Sequence, residues 1–404
     1  MTSHNPTGEV EDLPHDAGRA DPGPPRVRVG VIGCGYWGPH LVRNLHEVPE
    51  AGLAAVSDPR QERLDFISSR YPGVRLFPDA QQMLATDIVD AVVIASPIHT
   101  HYALAREALL AGKHVLVEKP LATNVVEAAE LVTLARRQRR VLMAGHTFVY
   151  NPAVRELRRL VQEGELGHIY YGDAARLNLG LFQRHVNVLW DLAPHDVSML
   201  MHVLGQHPVT VSARGSTCVQ DDVHDVCYLE IQFSGGPTAH VHVSWLDPDK
   251  VRRLTLVGDR RMAVFDDVSA AAKLRIYNRG VERPVTDNYG EFEVAYRHGE
   301  IVIPYIAWRE PLRLECEHFV QCVQSGSRPL SDGEQGLAVV ATLEAAERSL
   351  RSGGVRVPVE LPLVAAGHEG VRHQNGRGPQ PNGRGPRHNG RQASTPAVRG
   401  RGDG

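Results

Sequence analysis

The chain has 404 residues, of which 42% are hydrophobic and 23% charged, with a formal net charge of −3. That length holds about two or three domains, and the apolar share excludes a chain disordered throughout. The near-neutral balance excludes a bulk electrostatic pull toward nucleic acid or a membrane surface, so neither is expected as a specific partner. No stretch approaches the ~18 consecutive apolar residues of a membrane span. Five cysteines, Cys34, Cys218, Cys227, Cys316 and Cys322, are scattered without metal-ligand spacing. With no signal peptide, they predict a reducing, cytoplasmic setting and no metal.

Residues 1–25 are polar, acidic and proline-rich and read as a disordered lead-in. The apolar run through Val27, Val29, Val31 and Ile32 reads as a buried strand. It enters Gly33-Cys34-Gly35-Tyr36-Trp37-Gly38, a G-x-G-x-x-G turn, and a helical pattern follows through Leu41, Val42, Leu45 and Val48. In such a turn Gly33 permits the tight bend, Gly35 lets backbone approach a pyrophosphate, and Gly38 lets the helix pack close. The helix start offers unpaired N–H groups to the anion. Asp58 ends the next apolar run, Leu53–Val56, about 20 residues past the last glycine, where an acid binds the ribose 2′-hydroxyl of NAD and repels a 2′-phosphate. The alternative is a glycine turn without a ligand.

A βαβ rhythm continues with a helix over Gln61–Tyr71, a short run Val74–Phe77 and the almost wholly apolar strand Val89–Ala95. A helix over Thr100–Ala111, a strand His114–Val117, a helix Val125–Arg137 and a strand Val141–Ala144 complete it. This predicts an α/β, Rossmann-type doubly wound parallel sheet over residues 26–150, with ligands at the carboxyl ends of its strands. Residues 151–364 predict an α+β domain with a large, open, mostly antiparallel sheet. Asn151-Pro152 starts a helix to about Glu163. Strands follow over His168–Leu179, Val209–Cys218, Val226–Phe233, Ala239–Trp245, Arg253–Val257, Met262–Phe265 and Leu274–Tyr277. The helix Asp191–Leu204 interrupts them, and Glu310–Gln324 and Glu334–Arg351 read as closing helices. Residues 365–404 are rich in Gly and Arg and read as a disordered tail, solvated or weakly attracted to acidic surfaces.

Three stretches carry candidate chemistry. Glu118-Lys119-Pro120 follows a strand directly, so Lys119 is expected at the sheet's ligand edge, where it can stabilise an oxyanion; the alternative is a surface pair before a turn. Asp191 and His195 lie four apart in Trp190-Asp191-Leu192-Ala193-Pro194-His195, on one helix face. Asp191 reads as an N-cap with Pro194 in the first turn. The helix dipole would then keep His195 neutral and able to take a proton. A buried structural histidine is the alternative. Ser96-Pro97-Ile98-His99-Thr100-His101 follows the apolar strand, with His101 reaching a ribose or phosphate, or else Thr100 a simple cap and His101 solvated. Arg176, Asn178 and Arg184 lie near this helix in sequence and are candidates to grip polar or charged groups of a substrate.

The glycine loop, the S-P-I-H-T-H loop, Glu118-Lys119-Pro120 and the Asp191…His195 pair together resemble the glucose-fructose oxidoreductase/inositol dehydrogenase/rhizopine catabolism (Gfo/Idh/MocA) family, over about Arg26 to Val357. The resemblance implies a Rossmann domain binding NAD through Gly33, Gly35, Tyr36, Trp37, Gly38, Asp58, Ser96, His101, Glu118 and Lys119. It also implies Lys119 and His195 as the catalytic pair, Asp191 as their substrate-positioning partner, and a homodimer or homotetramer made through the open sheet. GYWGPHLVRNL, RLNLGLFQRHVNVLWDLAPHD and the turn at Phe265–Asp267 are similar to nucleotide-sugar 3-dehydrogenases acting on UDP-N-acetylglucosamine or its uronic acid. The family also implies alternatives: an inositol or other sugar dehydrogenase, an NAD-dependent glycosidase, or a non-catalytic dinucleotide-sensing regulator.

Overall fold

Every residue of β4 (Ala91–Ile94) is buried, and in β1 (Val27–Ile32) only Arg28 is exposed. Strands apolar on both sides belong in a parallel sheet covered by helices on both faces. The computed structural model describes residues 26–180, 182–183, 186–282 and 295–362. The expected lead-in, the Arg/Gly-rich tail and Arg184 lie outside these residues.

In chain order the first half runs β1, α1 (Gly38–Glu47), β2 (Ala51–Ser57), α2 (Gln61–Arg70), β3 (Arg75–Phe77) and α3 (Ala80–Leu84). It continues with β4, α4 (His101–Leu110), β5 (His114–Glu118), α5 (Val125–Gln138) and β6 (Leu142–Gly145). The sheet order β3-β2-β1-β4-β5-β6, parallel throughout, reverses direction between β1 and β4. That reversal opens the crevice at the strand ends where ligands bind in doubly wound sheets. Of these elements only α3 had no sequence signal; it is five residues long and capped by Asp79.

The second half contains α6 (Pro152–Gln162), β7 (Ile169–Leu177), α7 (Val188–Leu204), β8 (Pro208–Ser216), β9 (Val226–Phe233) and β10 (Thr238–Ser244). After these come β11 (Val251–Gly258), β12 (Met262–Asp266), β13 (Leu274–Glu282), β14 (Ala295–Val302), α8 (Pro311–Ser325), α9 (Gly333–Arg351) and β15 (Val357–Pro358). Nine strands form one sheet in the order β14-β13-β12-β11-β7-β10-β9-β8-β15, in which only β10 and β7 pair in parallel. β9 shows why one face is covered: Cys227, Leu229, Ile231 and Phe233 are buried while Tyr228 and Glu230 are exposed. The period of two puts these four apolar side chains on the face that α7 and α9 cover. β14 and β15 gave no sequence signal, because β14 is exposed along nearly its whole length and β15 has two residues.

α7 begins one turn earlier than the sequence predicts. Asn187, not Asp191, is the cap, accepting a hydrogen bond from Trp190 N at 3.2 Å. Burial of Val188 and Leu189 in the second core draws that extra turn into the helix. Pro194 therefore stands inside the helix, where it withholds the N–H that Trp190 C=O would accept.

The last two long helices return to the first sheet. Leu312, Cys316, Phe319 and Val320 of α8 share a core with Val29, Leu41 and Leu45. α9 serves both halves: Leu337 and Val340 pack with Leu131, Val132 and Leu142, while Ala338, Leu343 and Ala346 join the second core. A Cβ on Gly333 would lie 2.8 Å from Leu142, so the approach requires glycine there.

Candidate active site

The glycine turn leaves room where a ligand needs it. Gly33 has φ 95°, which favours glycine. A Cβ on Gly38 would lie 2.1 Å from Gly33 O, whereas a Cβ on Gly35 would meet nothing within 4 Å. Residue 38 is thus glycine for packing, and residue 35 faces open space. The N-terminus of α1 has no side-chain cap. Pro39 carries no N–H and His40 N donates to Trp37 O at 3.0 Å, so an anion there would be met by the Gly38 amide and the turn before it. Tyr36 and Trp37 stand exposed beside it, their rings stacked at 6.4 Å.

Asp58, just past β2, is buried and well supplied with donors. Its carboxylate accepts from Cys34 N at 2.7 Å, Arg60 N at 3.0 Å, and Arg60 Nε and Nη2 at 3.0 and 3.1 Å. Burial opposes its ionisation, but the Arg60 side chain and the two amides outweigh that and hold its carboxyl below the usual range. A carboxylate at this strand end, open space at Gly35 and an uncapped helix start together fit a dinucleotide.

His101 takes a different place from the one expected. It is buried, with Nδ1 2.8 Å from Pro120 O and Nε2 3.0 Å from Ser96 O. It ties the loop after β4 to the loop after β5 rather than reaching a ribose or phosphate. Burial holds its pKa below the ordinary histidine value although both carbonyls favour the cation. Ser96 Oγ is hydrogen-bonded to Thr100 Oγ1 at 2.6 Å.

The ends of β5 and β6 meet α7. Lys119 Nζ donates to Asp191 O at 2.7 Å and lies 3.4 Å from Asp191 Oδ1, while Trp245 Nε1 donates to Asp191 Oδ2 at 3.1 Å. Asp191 therefore bridges the Rossmann strand end and the second sheet. One turn on stands His195, its ring edge-on to Phe148 at 5.3 Å and its Nδ1 buried without a partner. Because α7 starts early, His195 is not in the first turn. Burial, reinforced by Lys119, Arg176, Arg252 and His146, holds its pKa well below the usual value, rather than the helix dipole. A neutral imidazole beside an ammonium is the arrangement that general-base chemistry needs.

Glu118 is buried beside this pair. Its Oε2 accepts from Lys119 N at 3.3 Å and its Oε1 has no partner. Burial pushes its carboxyl up to about 7, with Lys119 opposing. Glu315 on α8, whose Oε2 accepts from Thr147 Oγ1 at 2.8 Å, is held well above the carboxylate range by burial and by the negative charge of Glu118. His146 follows β6 directly, and since Glu118 pairs with Gly145, His146 stands next to Lys119 across the sheet. The sequence reading missed His146, Glu315 and Trp245. The register of β5 against β6 is the signal that identifies His146; Glu315 comes from a helix far along the chain and carries no local mark.

Arg176 is not free to grip a ligand. It is buried in a two-pronged pair with Asp196, at 2.8 and 3.0 Å, with its guanidinium carbon 4.3 Å from the centre of the Phe148 ring. Its partner lies on α7, so the pair locks that helix to β7. Asn178, half-buried past the end of β7, donates its backbone N–H to Ser244 O at 3.2 Å.

Residues 27–146 match the profile of an oxidoreductase family with an NAD-binding Rossmann fold, and residues 154–264 match a GFO/IDH/MocA C-terminal domain. Among known proteins, the chain is 30% identical over 318 residues to the UDP-N-acetylglucosamine 3-dehydrogenase of Acidithiobacillus ferrooxidans, covering 78% of this chain and 94% of that one. It is 26% identical over 337 residues to the myo-inositol 2-dehydrogenase of Thermotoga maritima, covering 80% and 96%. Among solved structures, the A. ferrooxidans enzyme superposes with a TM-score of 0.67 at 27% identity over 81% of this chain and 98% of that one. GenD2 from gentamicin A biosynthesis, solved with NAD, does so at 0.70 with 25% identity over 83% and 97%.

Proposed function

The chain belongs to the Gfo/Idh/MocA family of NAD-dependent sugar and polyol dehydrogenases, and on that premise we propose that it oxidises the 3-hydroxyl of UDP-N-acetylglucosamine or of its uronic acid. The observation that carries the reading is the meeting of Lys119, Asp191 and His195 at the carboxyl edge of β5. The substrate class rests on the likeness to the A. ferrooxidans enzyme.

The amides around Gly33, Gly35 and Gly38 with the start of α1 would hold the pyrophosphate and Asp58 the adenosine ribose. Tyr36, Trp37, Ser96, Glu118 and Lys119 would border the remainder. When bound, NAD⁺ supplies the hydride acceptor. His195, neutral because it is buried among cations, takes the proton of the sugar hydroxyl. The Lys119 ammonium, held by Asp191 O, stabilises the alkoxide that develops. Asp191 keeps Lys119 and α7 in register and offers its carboxylate to a neighbouring sugar hydroxyl. Arg176 acts by holding α7 through Asp196. The outer face of the nine-stranded sheet, with Tyr171 and Tyr228 exposed, would pair subunits, to be checked by sedimentation.

The test is mass spectrometry of each nucleotide sugar after incubation with NAD⁺ and 2-oxoglutarate. Loss of two hydrogens from one of them is the expected result. No loss from either, with NAD bound, removes this substrate class. A free cyclitol is the second reading, favoured by the likeness to the T. maritima enzyme, and belongs in the same assay.

A further inference from the structure

Four buried ring nitrogens around the site have no hydrogen-bond partner: Nδ1 of His195, both nitrogens of His146, and Nε2 of His202. Buried polar atoms are almost always satisfied by protein or ordered water, so orphans on three neighbouring histidines call for an explanation. They are arranged in sequence through the molecule. His195 and His202 lie seven apart on α7, two turns along one face. Ser198 stands between them and donates to His195 O at 2.9 Å. His146 is beside Lys119 at the end of β6.

A partly enclosed cavity of about 200 Å³ borders two of them, His146 and His202, while His195 stands behind His146 and outside its wall. His146, Arg158, Ser198, His202, Ser331 and Gln335 contribute polar groups to its wall, and the exposed His207 marks its mouth. No carboxylate lines it. At roughly 30 Å³ per molecule it has room for on the order of six waters, and its polar wall gives each the partners that an interior water needs.

We propose that this cavity is the proton exit of the active site, a water-filled conduit that takes a proton from His195 by way of His146 to the surface. It runs past His202, whose Nδ1 is held by Arg158 at 3.1 Å and whose unpartnered Nε2 can bond only to water. The inference rests on the dehydrogenase reading for its purpose. Oxidation of one CH–OH to a carbonyl sends a hydride to NAD⁺ and one proton to His195. With cofactor and sugar filling the cleft, that proton needs another way out before the next turnover. A neutral imidazole accepts a proton on one nitrogen and releases one from the other, which the two unpartnered nitrogens of His146 allow.

The charged groups around the route favour passage over storage. Lys119 bears on His146; Lys119, Arg176 and Arg252 bear on His195; Arg158 and Arg155 bear on His202. Burial is the larger cause in each case, and together they keep all three rings neutral at rest, so no proton is trapped along the route.

The first test needs no substrate. A high-resolution crystal structure is expected to show ordered waters linking His146 to His202. A dry cavity, or an anion seated there against Arg158, overturns the conduit. The second test uses His146→Phe and the more conservative His146→Asn, which bonds water but cannot relay a proton. For either variant, kcat is expected to fall about 10- to 100-fold, within or just below the general acid–base range. KM for the sugar and the Kd for NAD should stay unchanged, the solvent isotope effect should rise, and added imidazole should restore the rate. Unchanged kcat and isotope effect, or a loss that imidazole does not repair, overturns the proposal. A dry cavity in an active dehydrogenase removes the conduit alone. A wet cavity in a protein that oxidises no sugar removes the dehydrogenase reading instead.

Discussion

The tip of β2 and the tips of β5 and β6 belong to one parallel sheet, yet their polar groups are met in opposite ways. At β2, Asp58 collects four donors and is held ionised. At β5 and β6, Glu118 has one long bond from its neighbour's amide and a bare oxygen, and His146 has nothing. Both side chains are nearly inaccessible, but Glu118 sits deeper and has fewer donors, so burial prevails there while the donors prevail at Asp58. A saturated group is finished in the folded protein and suits holding. An unsaturated group completes its bonding only with ligand, water or a moving proton, and suits reaction.

The sharpest test of that contrast is at the reactive end. Lys119→Ala or His195→Ala is expected to lower turnover by roughly 10²- to 10⁴-fold, and for His195→Ala NAD affinity should change little, measured by initial rates beside cofactor titration. Near-normal turnover in either variant breaks the comparison. Next in size is the clamp that keeps α7 in place. Asp196→Ala leaves Arg176 buried and unpaired and is expected to cost about 3–5 kcal/mol in denaturant unfolding. A far smaller loss means that water or another group takes up the arginine.

The holding end should respond in binding alone. Asp58→Asn is expected to weaken NAD binding by roughly 10-fold, the size of one charge-assisted hydrogen bond. Gly35→Ala adds a methyl to open space, so Tm should hold while NAD affinity falls; an unchanged affinity removes Gly35 from the site. The smallest effect is a difference in pH slope. Glu118 has a folded pKa of about 7 against 4.5, so its contribution to stability is full below 4.5 and is lost as pH rises through about 7. Asp58 is depressed below 3.8, so its contribution is present above that value and is lost as pH falls through the folded pKa. Thermal melts of Glu118→Gln should therefore gain on wild type from pH 4.5 to 7, and those of Asp58→Asn should lose less than wild type in acid.

The features readable from sequence are those whose causes are local. The glycine spacing, Asp58 after its strand, Glu118-Lys119 after β5 and the Asp191…His195 interval each sit within a few residues of the element that presents them. What the sequence hid depends on partners far along the chain. His101 reads as a loop residue until Pro120 O closes on it. Arg176 reads as a free cation until Asp196 arrives on α7. The sequence places the start of α7 at Asp191, a good cap, and packing of Val188 and Leu189 moved it back to Asn187, another residue that caps well. Glu315 met Glu118 only once α8 had folded back, which no periodicity foretells.

Because α8 supplies Leu312, Cys316, Phe319 and Val320 to the core around Val29, Leu41 and Leu45, the nucleotide-binding half leaves the ribosome with one flank bare. β6 ends at Gly145 and α8 begins at Pro311, so at ~5–20 residues per second roughly ten to thirty seconds of synthesis separate them. For that interval the nascent chain presents an apolar strip of α1 that only its own later residues can cover. A protein cut after β6 keeps the strip permanently, and is a natural client for a holding chaperone.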